Sequence, residues 1–128
     1  MVMGRSSSPT HQKGAAAEDA AALFLTQQGF TLIAQNFNTP LGEIDLIVQK
    51  ATTLVFVEVR LRKSNSLVSA LESVTRAKQR KIGRAAAVFL QRHKQYQGCD
   101  CRFDVIACTQ LANGQHEFDW IEAAFYVA

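Results

Sequence analysis

Two alternating runs joined by a very short turn constrain this chain more than any other feature. GEIDLIVQK at 42–50 is followed by TTLVFVEVRLR at 52–62, and only the residues around Lys50 to Thr53 are left to turn the chain. In a strand, successive side chains point to opposite faces. One face of the resulting hairpin then carries Ile44, Leu46, Val48, Val55, Val57 and Val59, all apolar, while Asp45 shares the other with Glu43 and Ile47, and Glu58 shares it with Phe56 and Arg60. With Lys50 to Thr53 as the loop, Gln49 pairs with Leu54, Asp45 falls opposite Glu58, and Glu43 falls opposite Arg60. A slip of one residue would bury the charges, so the register is pinned by the apolar face.

Directly opposed residues have Cβ atoms roughly 4.5–5.5 Å apart. Two carboxylates at that distance repel each other unless a proton or a cation intervenes. A divalent ion with a preference for carboxylate oxygen, Mg²⁺ or Mn²⁺, reconciles them, and Asp45 and Glu58 are the candidate metal ligands. Arg60 lies on the same face as Glu58, where its guanidinium can clamp a phosphate but cannot accept a proton. Glu18 occupies a helical row with Ala15, Ala22 and Leu25 that is otherwise apolar. A carboxylate in that row needs a partner, and Arg60, a metal ion and a metal-bound water all qualify.

Charge is distributed unevenly. Net charge is only +3, yet eight of the fourteen Lys and Arg residues (Arg60, Arg62, Lys63, Arg76, Lys78, Arg80, Lys81 and Arg84) lie between positions 60 and 84, where Glu72 is the single acid. Such a segment suits a polyanion, and the residues from Arg62 to Arg84 are the candidate nucleic-acid contacts.

The rest of the chain supplies a frame for that hairpin. Residues 1–13 are polar and basic and read as a mobile tail, leaving 14–128 as one domain. Gly14 to Gln28 favours a helix with Gly29 at its C-terminal cap, and FTLIAQNF at 30–37 reads as a strand closed by Asn38, Thr39, Pro40 and Gly42. Val74 to Gln97 reads as a helix with an apolar stripe of Ile82, Ala85, Ala86, Phe89 and Leu90. CRFDVIAC at 101–108 and HEFDWIEA at 116–123 are two more strands around the turn at Asn113 and Gly114. The order αβββαββ predicts an α/β domain with a mixed sheet flanked by helices. Asp104, within the fourth strand, fits either support of the site or an edge-strand salt bridge.

Other chemistries lack their signatures. The chain contains no phosphate-binding or dinucleotide glycine loop, no H-E-x-x-H and no G-x-S-x-G. Cys99, Cys101 and Cys108 are odd in number and lack zinc-site spacing, which predicts free thiols in a reducing compartment. No apolar run reaches the roughly 18 residues of a membrane span, and the first residues lack the apolar segment of a secretory signal, so a cytoplasmic protein without membrane partners is expected.

An early helical acid, an Asp on one strand and E-x-K on the next define a pattern that Glu18, Asp45 and Glu58-Val59-Arg60 resemble, that of the PD-(D/E)xK nuclease superfamily. Ile44 stands where that pattern has proline, and Arg60 where it has lysine. GEIDLI at 42–47, LVFVEVRLR at 54–62, the basic segment Thr75 to Lys81 and RFDVI at 102–106 look like the YraN family of small bacterial proteins, which is similar to archaeal Holliday junction resolvases. The resemblance implies a restriction-endonuclease-like fold and a metal-dependent nuclease acting on DNA, at branches or ends. Glu18, Asp45, Glu58 and Arg60 would be its catalytic set, and the oligomeric state stays open, with analogy to resolvases favouring a homodimer. The arginine at position 60 motivates a second expectation, a nucleic-acid-binding module that keeps the fold without cleaving.

Overall fold

A computed structural model describes residues 9–62 and 70–127, with side chains from Gly14 onward. The first helix, α1 (Pro9–Gln27), starts before the expected Gly14, with proline in the first turn, where its missing N–H costs no helical bond. Of the tail expected over residues 1–13, residues 9–13 instead open this helix, and residues 1–8 lie outside the described residues. At the other end the helix stops where the sequence places the stop. Gly29 adopts φ +95°, and the Phe30 N–H reaches back to the Leu25 carbonyl at 3.1 Å.

Three antiparallel strands follow, β1 (Thr31–Thr39), β2 (Gly42–Lys50) and β3 (Thr53–Arg62). A short helix α2 (Ala70–Ser73) and the longer α3 (Arg76–Arg92) then carry the chain across to β4 (Asp100–Gln110), parallel to β3, and β5 (His116–Phe125) closes the sheet as an antiparallel edge. The strands lie in chain order, β1-β2-β3-β4-β5. The fold is therefore the expected mixed α/β arrangement, αβββαββ with one extra short helix.

Thr75 starts α3 by accepting the Lys78 backbone N–H on its hydroxyl, and Ile82, Ala85, Ala86 and Phe89 bury the stripe foreseen from their spacing. The helix ends at Arg92, ahead of the expected Gln97, because His93 leaves helical geometry and a 3₁₀ turn (Lys94–Tyr96) follows. The sheet is covered on both faces. Leu46, Val48, Val55, Val57 and Ile106 pack under α1 with Ala21, Ala22 and Leu25, whereas Ile47, Leu54, Phe56, Val105 and Ala107 pack under α3. Among the described residues no helix is long and apolar enough to cross a membrane.

The β2–β3 hairpin has the register counted from the sequence, with Gln49 opposite Leu54 and Leu46 opposite Val57. Pairing then ceases although both strands continue. Ile44, expected on the face of Leu46 and Val48, joins the α3 cluster instead, because the strands part beyond Leu46 and the strict alternation is lost there.

Candidate active site

Asp45 and Glu58 are the first residues past the end of the ladder. Asp45 Oδ2 accepts the Val59 N–H at 2.8 Å, so a side chain takes a backbone donor at the point where the strands separate. Its carboxyl also hydrogen-bonds that of Glu58. The cross-strand meeting expected from the register is thus made by side chains at a fork in the sheet.

That position disfavours charge on Asp45. Burial pushes its carboxyl well above the usual carboxylate range; the neighbouring Glu58 charge and hydrogen bond push the same way, as does the charge of Glu18, and only the Val59 N–H opposes them. Glu18, part-buried on α1, is therefore near enough to be felt at Asp45. Because the strands part here, an acid from the α1 side and a base from the α3 side converge on one carboxylate pair.

Glu58 is 3% exposed. Its Oε2 lies 2.9 Å from Lys78 Nζ and 3.4 Å from an Arg60 terminal nitrogen. Arg60 is oriented through Nε, which donates to Ser73 Oγ at 3.0 Å, and the Ser73 hydroxyl donates to the Ala70 carbonyl at 2.6 Å. Arg60 therefore does not turn to Glu43, its expected cross-strand partner, which is exposed. α2 thus orients Arg60.

Lys78, expected to hold nucleic-acid backbone, belongs to the acid cluster itself. Its signal in the sequence is the capping residue Thr75: it marks the first turn of α3, which begins at the end of the sheet where β3 finishes. Ser73 had no such signal. The other basic residues divide. Arg62 is ion-paired with Asp119, Lys63 lies outside the described residues, and Arg76, Arg80, Lys81 and Arg84 are exposed on α3 without an ion pair among the described residues.

Asp104 is fully buried and serves structure. Its oxygens receive Arg102 Nε at 2.8 Å and a terminal nitrogen at 2.9 Å, Trp120 Nε1 at 2.9 Å and the Ala123 N–H at 3.0 Å. The salt bridge lies on an interior strand rather than an edge. The three cysteines are free thiols.

Among the described residues no three acid, histidine or cysteine side chains converge as a ready-made metal site. What converges is one carboxylate pair, and Mg²⁺ usually takes only one or two protein carboxylates, keeping water and substrate oxygens as its other ligands. Glu58 Oε2 faces cations and Asp45 Oδ2 faces Val59, and a cation held by the pair would replace the hydrogen bond between the two carboxyl groups. The donor chemistry fits a hard divalent cation.

Comparison with known proteins places the chain in a family. Residues 17–108 match the model of the uncharacterised protein family UPF0102. A UPF0102 protein of Saccharophagus degradans is 49% identical over 115 residues, covering 90% of this chain and 93% of the relative. Another from Nitrosomonas eutropha is 45% identical over 122 residues, covering 92% and 97%. The matched residues take in Glu18, the parted β2–β3 hairpin, Arg60 and Lys78, so the acid cluster lies wholly within the shared region, and the chain belongs to UPF0102, the YraN family that its motifs resemble.

Proposed function

We propose that the protein is a metal-dependent nuclease that hydrolyses phosphodiester bonds in DNA at branched or end structures. One observation carries the reading: half-buried Asp45 meets buried Glu58 at the fork between β2 and β3, where burial and the Glu58 charge disfavour charge on Asp45, with Arg60 and Lys78 directed at Glu58. Such a pair is costly for a fold and useful for holding a cation. The site also lies toward the end of β3, beside its parallel neighbour β4; ligands of open α/β sheets bind at the carboxyl ends of such strands.

A divalent cation, when held by Asp45 and Glu58, supplies an activated water and neutralises phosphoryl charge. Asp45, fixed by the Val59 N–H, and Glu58, fixed by the two bases, would hold the cation. Arg60, fixed by Ser73, presents its terminal nitrogens to the charge that develops on the phosphate. Lys78 brings a second positive charge to the same place, and Glu18, whose charge is felt at Asp45 from the α1 side, would position a water or a second ion.

A second reading has its own support. Glu58 Oε2 already faces two cationic side chains, which suits a module that binds nucleic acid and cleaves nothing. The two separate in one experiment. Purified protein and its Glu58→Ala variant are incubated with labelled linear, single-stranded and four-way-junction DNA in Mg²⁺, Mn²⁺ or EDTA. The nuclease reading expects cleavage that needs both the metal and Glu58; binding without cleavage under every condition would leave the module.

A further inference from the structure

Beside the acid cluster, between the β1–β2 turn and the first turns of α3, lies a cleft of about 600 Å³. That volume falls within the roughly 300–1,000 Å³ of sites that enclose small organic ligands. Its walls differ in chemistry. The turn side presents Pro40 and Leu41, and Leu41 is 52% exposed. The helix side presents Lys78 and Lys81, and Glu43 lines the cleft two residues before Asp45.

The walls are also fixed in position. Thr39 Oγ1 accepts the N–H groups of Leu41 and Gly42, both at 3.1 Å, and donates to the Gly42 carbonyl at 2.9 Å. A Cβ on Gly42 would stand 2.3 Å from the Lys81 carbonyl oxygen, so turn and helix touch where only glycine fits. An exposed leucine held rigidly opposite a lysine is a surface made to be covered, by something apolar on one side and anionic on the other.

We propose that this cleft is a nucleotide subsite, taking one unpaired nucleotide with its phosphate toward Lys81 and Lys78 and its base against Pro40 and Leu41. The proposal rests on reading the acid cluster as a nucleic-acid site and narrows the substrate of that site. Lys78 borders both the cleft and Glu58, so a strand seated in the cleft continues directly onto the acid pair. Phosphate contacts position a strand, and an apolar face beside them receives a base of any identity. Both faces of a stacked base are covered by its neighbours, so contact with Pro40 and Leu41 requires a base out of the stack. The subsite therefore favours ends, loops and junctions over uninterrupted duplex.

The test uses the full chain in EDTA, titrated with thymidine 5′-monophosphate and separately with inorganic phosphate, and followed by amide chemical shifts. Two variants accompany it: Ala77→Trp, which fills the cleft from an exposed helical position, and Lys81→Glu, which reverses a charge on its wall. The monophosphate is expected to bind more tightly than phosphate and to move the amides of Thr39, Leu41 and Lys81. Each variant is expected to weaken it at least tenfold, about 1.4 kcal/mol. Equal affinity for phosphate alone, shifts confined to other surfaces, or undiminished binding in both variants would overturn the subsite; if Ala77→Trp proves unfolded by thermal melting, Lys81→Glu decides. Metal-dependent cleavage together with undiminished binding in the variants would overturn the subsite and leave the nuclease standing. Nucleotide binding at these residues without cleavage of any substrate would support the subsite and overturn the nuclease.

Discussion

At Asp45 the fold holds a group in a place that penalises its charge. The unfolded chain releases this proton in the ordinary carboxylate range, near pH 4, whereas the folded protein keeps it to higher pH. The folded state therefore binds more protons than the unfolded one, and stability falls as pH rises through that window. Below it both states are protonated and nothing is lost. Asp45→Asn preserves the shape and an acceptor for the Val59 N–H while removing the charge. The variant is expected to unfold at a higher urea concentration than the parent at pH 7, with the difference closing as pH falls below 4. Equal or lower stability of the variant at pH 7 would refute this account of the pair. The meeting of Asp45 with Glu58 was legible in the sequence because period-two alternation and a short turn leave a single register. The placement of Lys78 was not, since it depends on how a helix twenty residues further on crosses back over the sheet.

Asp104 shows the opposite economy at the level of the strands. β4 and β5 shift register between Phe103 and Val105, and the backbone freed there must bond elsewhere. Asp104 accepts the Ala123 N–H, Trp120 Nε1 and two Arg102 nitrogens, so one buried carboxylate closes the irregularity with a full complement of donors. Ala123 has φ +49°, a left-handed conformation that the Asp104 bond helps to hold. Asp104→Ala strands these donors and is expected to cost about 3–5 kcal/mol, the usual loss when one partner of a buried ion pair is removed. Urea unfolding checks it; a loss below 1 kcal/mol would mean that the donors find other partners. Alternation within β4 gave the strand, and a run of paired residues cannot disclose such an irregularity. The same reason hid Ile44, which changes face where β2 leaves β3. In both places the sequence pattern is that of a regular strand, and side-chain hydrogen bonding overrides it.

Across the whole molecule the positive charge is not spent evenly on holding the fold together. Arg62 is tied to Asp119 and Lys78 to Glu58, while Arg76, Arg80 and Arg84 recur every fourth residue along α3 and so share one face. All three are exposed, on the side away from Ile82, Ala85, Ala86 and Phe89. A row of solvated cations beside an acid cluster contributes little to stability and much to attracting a polyanion. If the row contacts nucleic-acid backbone, each contact releases condensed counterions, and the slope of log affinity against log salt measures how many are made, roughly 0.9 per phosphate on duplex and 0.7 on a single strand. Replacing the three arginines with glutamine is expected to leave the unfolding midpoint nearly unchanged. The same replacement should lower the salt slope by about 2–3, with turnover on any cleaved substrate falling only through binding. Fluorescence anisotropy with a labelled single strand at several salt concentrations measures the slope. An unchanged slope would remove α3 from the binding surface and leave the cleft and the acid cluster to hold the strand by themselves. A slope that falls together with the affinity would place the strand along the exposed arginine face of α3.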